Sequence, residues 1–121
     1  MNICGWFEIP VTDITRAMKF YEQSFDVTMK TMEMGSTKMA SFPWTEKAEG
    51  TTGALVQGDG YKPSHSGSLV YLSVPSIDDT LKKIESKGGK TLSPKKSIGE
   101  WGFIATFEDC EGNRVALHSA K

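Results

Sequence analysis

The sequence predicts an α+β fold of two tandem βαβββ modules. Three observations carry that prediction. The chain repeats itself: sliding the stretch from Ile9 to Met29 by 63 positions lays Ile9 on Leu72, Val11 on Val74, Ile14 on Ile77, Met18 on Leu81, Glu22 on Glu85, Thr28 on Thr91 and Met29 on Leu92. Each copy reads strand, tight turn, helix, strand. The offset is about half of the 121 residues, so neither copy is large enough to close a core alone. Two such modules packed with pseudo-twofold symmetry leave a cleft, and clefts are where small molecules bind. The expected organisation is one domain over 1–121, with module one at 1–57, a linker at 58–67 and module two at 68–121.

The elements follow in order. Ile3 to Pro10 reads as a strand, with Phe7 and Ile9 on one face and Trp6 and Glu8 on the other. Asp13 is a good N-cap. The next helix carries Ile14, Ala17, Met18 and Tyr21 at helical spacing, turns Arg16, Lys19 and Glu22 outward, and ends near Ser24. Val27–Met34 and Thr37–Phe42 form a hairpin around Gly35-Ser36. Pro43 to Gly50 is a polar loop holding Trp44, and Gly53 to Gln57 is a short strand. Gly58 to Gly67 has turn chemistry throughout and serves as the linker.

Module two opens with a strand from Ser68 to Val74. Ser76 caps its helix, and Asp79 three residues on resembles a capping box with Asp in place of Glu or Gln. Ile77, Leu81 and Ile84 face inward, while Lys82, Lys83 and Lys87 face water. Gly88-Gly89 ends the helix. Strands are expected near Lys90–Leu92, at Gly102–Phe107 and at Asn113–His118, the last two joined by a turn at Glu111-Gly112. Neither helix is followed by a Gly-rich phosphate loop, and Gly88-Gly89 ends a helix rather than starting one, so it is no dinucleotide fingerprint.

Composition narrows the function classes. Net charge is −1, with 38% hydrophobic and 24% charged residues, ordinary for a globular domain. That balance gives no basic face for nucleic acid. No run is long and apolar enough for a membrane span. The N-terminus lacks the pattern of a signal peptide, so a cytoplasmic protein is expected. Cys4 and Cys110 are then unpaired thiols, and Cys110, in a turn without an adjacent base, is expected to be exposed and without a catalytic task.

Two βαβββ copies resemble the vicinal oxygen chelate superfamily, which includes glyoxalase I, extradiol dioxygenases, fosfomycin resistance enzymes and bleomycin-binding proteins. The resemblance covers nearly the whole chain. It rests on Trp6-Phe7-Glu8-Ile9-Pro10-Val11-Thr12-Asp13, on Ala17-Met18-Lys19-Phe20-Tyr21, and on a closing F-x-D-x-x-G-N hairpin within Phe107–His118. It implies a curved mixed sheet around a cleft, and dimers that sometimes exchange modules. It also implies metal ligands on the first and last strand of each module. Here those positions hold Trp6, Leu69, Ala54 or Leu55, and Ala116, none of which offers a side-chain donor. No cofactor is therefore expected. A divalent metal remains as the alternative, held by displaced ligands: Glu8, His118 and Tyr71 or Glu100.

Strand alternation places Trp6, Glu8, Tyr71, Arg114 and His118 toward the cleft. Glu8 and His118 form a candidate acid–base pair, since a carboxylate raises and orients an imidazole; the alternative is a salt bridge or an exposed His. Trp6 either stacks on a planar ligand or fills the space of a lost metal. Tyr71 is a ligand contact or a core residue. Arg114 binds an anionic group or pairs with Glu111 or Asp109. Trp44 and Trp101 rim the opening or cover sheet edges. His65 is a surface imidazole, and the methionines near the first hairpin are partly core and partly pocket lining. The expected function is a metal-independent small-molecule binding protein, of resistance or sequestration type, or a non-metal lyase or isomerase. The second reading is a glyoxalase-like metalloenzyme. The expected partners are a small-molecule ligand and a second copy of the chain.

Overall fold

The computed structural model describes all of residues 1–121. Module one runs β1 (Phe7–Pro10), α1 (Ile14–Phe25), β2 (Lys30–Met34), β3 (Thr37–Ser41) and β4 (Gly53–Gln57). Module two runs β5 (Tyr71–Ser73), α2 (Ile77–Ser86), β6 (Lys90–Ser97), β7 (Phe103–Glu108) and β8 (Arg114–Ser119), with a 3-10 turn at Gly99–Trp101. Each module is βαβββ, and each makes its own four-stranded mixed sheet. The strand orders match: β1-β4-β3-β2 and β5-β8-β7-β6. β1 pairs parallel with β4, as β5 does with β8; the other pairings are antiparallel. The edges β1 and β5 share no hydrogen bond.

Capping follows the sequence. The Asp13 side chain accepts from the Arg16 N–H, and the Ser76 side chain from the Asp79 N–H, each satisfying a helix-end donor. α1 ends one residue past Ser24, with Asp26 left-handed at φ 55°. At the end of α2, Gly89 donates to the Ile84 carbonyl. A Cβ at Gly89 would lie 2.7 Å from the Glu108 carbonyl oxygen, so the chain needs glycine there.

The strands differ in length from the reading above. β1 and β5 are shorter than Ile3–Pro10 and Ser68–Val74, although backbone bonds to β8 still reach Val70 and Val74 on either side of β5. β2 starts at Lys30, not Val27. β6 is longer than Lys90–Leu92 and runs through Pro94. It is an edge strand with two register shifts against β7, the setting in which a strand tolerates proline.

The two modules share one core. Ile9, Ile14, Ala17, Phe20, Tyr21, Ala40 and Leu55 from module one join Ile77, Leu81, Ile84, Ala105, Phe107, Val115 and Leu117 from module two. The buried stripe of α1 is Ile14, Ala17, Phe20, Tyr21 and Ser24; Met18 is only half-buried. Phe20 and Phe25 both pack on Phe107, at 6.4 and 6.1 Å between centroids, and so join α1 to the second sheet.

A polar clasp reinforces that seam. The Tyr21 hydroxyl donates to buried Asp109 at 2.7 Å, and Asn113 Nδ2 donates to the Pro10 carbonyl at 2.7 Å. Glu111 accepts from the Thr12 N–H and hydroxyl at 2.6 and 2.7 Å, and pairs with Arg16 at 2.6 Å. No helix is long and apolar enough to cross a membrane.

Candidate functional site

A cavity lies in the seam, where the edge strands β1 and β5 run without pairing. Its volume is about 1120 Å³. Trp6, Phe7 and Glu8 of β1 and its approach form one wall, and Ser68–Pro75 around β5 another. The end of α1 (Ser24–Val27), the start of α2 (Ser76, Asp79, Thr80, Lys83) and part of the β3–β4 connection complete it. The ends of α1 and the start of α2 meet here because the two helices pack antiparallel. The opposite ends, around Arg16 and Lys87, line a smaller crevice.

Three of the five candidate residues line this cavity: Trp6, Glu8 and Tyr71. Trp6 is 44% exposed and Tyr71 49%, so both rings are free to meet a ligand. Glu8 is held on both oxygens. The Tyr61 hydroxyl donates to Oε1 at 2.9 Å, and the Trp6 indole N–H donates to Oε2 at 3.3 Å. The carboxylate in turn raises the Tyr61 phenol pKa, by hydrogen bond first and by charge second.

Arg114 and His118 are placed differently. They alternate with buried Val115 and Leu117, so they face away from the helices, as strand counting expects. But β8 is the second strand of its sheet, with β5 between it and the seam, and neither residue lines the cavity. His118 Nε2 lies 2.6 Å from the Trp101 carbonyl oxygen, which can only accept, so that nitrogen carries the proton. Glu8 and His118 therefore each have other partners and form no ion pair with one another. Arg114 forms no ion pair with Glu111 or Asp109; Arg16 pairs with Glu111, and the Tyr21 hydroxyl donates to Asp109.

Other expectations need correcting. Cys110 is half-buried, not exposed, and packs against the core. Burial, then the charges of Asp109 and Glu111, push its thiol up to about 11. His65 is a surface imidazole, as expected, and its Nε2 also meets Glu108 at 2.7 Å, tying the linker to β7. Trp44 and Trp101 are well exposed and do not line the cavity.

One cavity residue, Ser24, and one partner of a cavity residue, Tyr61, were not singled out from the sequence. Tyr61 bonds Glu8 from the linker, where it is an aromatic among Gly, Lys and Pro. Ser24 is 1% exposed, lines the cavity, and its hydroxyl has no hydrogen-bond partner. Its place on the inward stripe of α1, three residues after Tyr21, was the available clue.

The donor set does not fit a divalent ion. No three His, Cys, Asp or Glu side chains converge. Glu8 pairs in register with Ala54, and Tyr71 with Ala116, so the neighbouring strand positions carry methyl groups.

The Glyoxalase/Bleomycin resistance protein/Dioxygenase superfamily model matches residues 3–117. The chain belongs to this superfamily. A Glyoxylase-like domain-containing protein of Didymella fabae is 30% identical over 114 residues, covering 91% of this chain and 88% of that one. Among solved structures, the antibiotic binding protein TnmS3 from Streptomyces sp. CB03234 superposes with a TM-score of 0.72 at 22% identity, covering 100% and 98% of the two chains. A glyoxalase I variant from Zea mays gives a TM-score of 0.73 at 20% identity, covering 96% of this chain. The chain spans 46% of that maize protein, about half its length. For this superfamily member, the two structural likenesses speak to fold alone.

Proposed function

We propose that this superfamily member is a metal-independent binding protein that sequesters a small, partly apolar or planar molecule in the seam between its modules. The observation that carries the reading is the seam cavity itself. Exposed Trp6 and Tyr71 stand beside a fixed carboxylate, with Phe25, Phe42, Leu72 and Val74 as apolar lining. Apolar walls with a few placed polar groups are the general form of a small-molecule site. That a structural neighbour is named an antibiotic binding protein supports a sequestering role here. A non-metal lyase or isomerase would use the same cavity, with Glu8 as its acid–base group.

A homodimer belongs to this reading. The face of the first sheet turned from the helices exposes Met32 and Met34 beside Met39, Val56 and Tyr61, and a second copy would cover it. The corresponding face of the second sheet carries Arg114 and His118. A cytoplasmic location goes with the two unpaired thiols.

The test is metal content of the purified protein by elemental analysis, with thermal-shift scans of nickel, zinc, manganese and iron. No stoichiometric metal and no shift are expected. A stoichiometric metal lost in Glu8→Gln or His118→Ala would overturn the reading in favour of a glyoxalase-like metalloenzyme.

A further inference from the structure

The seam has two ends, and the internal repeat makes them comparable. At the closed end the short β7–β8 connection, 109–113, folds over the start of α1. There the acid Glu111 meets the cation Arg16 at 2.6 Å. At the other end the β3–β4 connection, 42–52, and the start of α2 both line the cavity. The residue in the place of Arg16, 63 positions on, is Asp79. The connection contributes Glu49 to the same cavity that Asp79 lines, so the charged residues these two segments bring there include an acid from each. The ion pair that closes one end has no counterpart at the other.

The cavity's charge agrees. Its lining residues charged at neutral pH are Glu8, Asp26, Glu49 and Asp79 against Lys83 alone. The carbonyl end of α1 adds partial negative charge. The start of α2 opposes it with its N–H end, but Ser76 already accepts one of those donors. A separate observation points to a missing ligand group. The Ser24 hydroxyl, 1% exposed and lining the same cavity, is the one buried side-chain polar atom without a partner. Such a group is costly unless something completes it.

We propose that the seam cavity takes an organic cation, an ammonium or guanidinium carried on an apolar or aromatic body. Its charge stands where Arg16 stands at the closed end, between Asp79 and Glu49. Its N–H groups find an acceptor in Ser24. Its body lies along Phe25, Phe42 and Leu72, with Trp6 and Tyr71 offering ring faces. This rests on the seam cavity being the ligand site and adds the charge class of the ligand.

The experiment compares three probes of one shape by equilibrium dialysis with the full chain at neutral pH: phenethylamine, phenethyl alcohol and hydrocinnamate. The amine is expected to bind about ten-fold more tightly than the alcohol, the carboxylate most weakly, with the preference shrinking as salt rises. Asp79→Asn and Glu49→Gln, both conservative, should each weaken the amine about three-fold and leave the alcohol unchanged. Lys83→Met should strengthen the amine, an outcome that a misfolded variant does not produce. Equal binding of amine and alcohol, or tighter binding of the carboxylate, overturns the cation assignment and leaves the ligand cavity standing. Binding of none of the three, up to the solubility of each, overturns both.

Discussion

Glu111 joins the modules through one carboxylate, and its protonation should register in stability. Burial alone would raise its pKa. The Thr12 N–H and hydroxyl and the Arg16 guanidinium outweigh burial and lower it. A carboxylate with a depressed folded pKa contributes stability above its unfolded value, near 4.3, and loses it as pH falls through the lower folded value. Glu111→Gln should therefore cost ~1–2 kcal/mol at neutral pH, since Arg16 remains half in water. Its acid limb should be flatter than the wild-type limb, as followed by urea melts from pH 7 to 3. An unchanged limb would mean the clasp does not form in solution. Cys110 offers a second residue-scale test. With its thiol pushed up to about 11, only about one molecule in ten thousand carries the thiolate at pH 7. Alkylation by iodoacetamide should modify exposed Cys4 well before Cys110, as read by peptide mass spectrometry. Preferential labelling of Cys110 would contradict the burial assigned to it.

Among the elements, β1 depends most on a single small residue. Phe7 faces Gly53 in the parallel register, and a Cβ at Gly53 would overlap the Phe7 carbonyl oxygen. Gly53→Ala should push β1 from β4 and cost ~1–3 kcal/mol, with faster amide exchange at Glu8 and Ile9. Because β1 is a cavity wall, ligand affinity should fall with it. The elements were legible where their cause is local. Ile14, Ala17 and Tyr21 mark the inward stripe of α1 because 3.6-residue spacing is written in the chain. Asp13 and Ser76 mark helix starts because a cap bonds its own next turn. Lengths were less legible where pairing depends on a distant strand. Leu69 has a strand former's side chain but lies outside β5, whereas Pro94 sits inside β6. The site followed the same division. Alternation along β1 placed Trp6 and Glu8 correctly relative to Ile9, but the sheet order that sets Arg114 and His118 back from the seam is not encoded in either strand. Tyr61 reaches Glu8 across 53 positions, a pairing that no local pattern announces.

At the scale of the molecule, the repeat that reveals the architecture also dictates how it comes apart. Each module brings one helix and one sheet, but the buried residues that face those helices form a single cluster. Phe20 and Phe25 of module one rest on Phe107 of module two, and the Tyr21 hydroxyl is spent on Asp109. That phenol lies in the core beside a carboxylate, so its pKa stands well above the usual value, from burial first and the Asp109 charge second. Asp109 also accepts from the Asn113 and Glu111 backbone N–H groups, both at 2.9 Å. Removing the hydroxyl in Tyr21→Phe leaves a buried carboxylate with fewer donors and should cost ~1–3 kcal/mol. A module of about 60 residues is marginal alone, and here each shares its buried core with the other. The wild type should therefore unfold in one step, with helical circular dichroism and tryptophan fluorescence falling together in urea. Tyr21→Phe should shift both midpoints equally. Segments 1–57 and 68–121, made separately, should lack cooperative transitions, because each loses half of the shared core. Two separated transitions in the whole chain, or a sharp transition in either segment, would show that the modules are held by the linker and not by the seam.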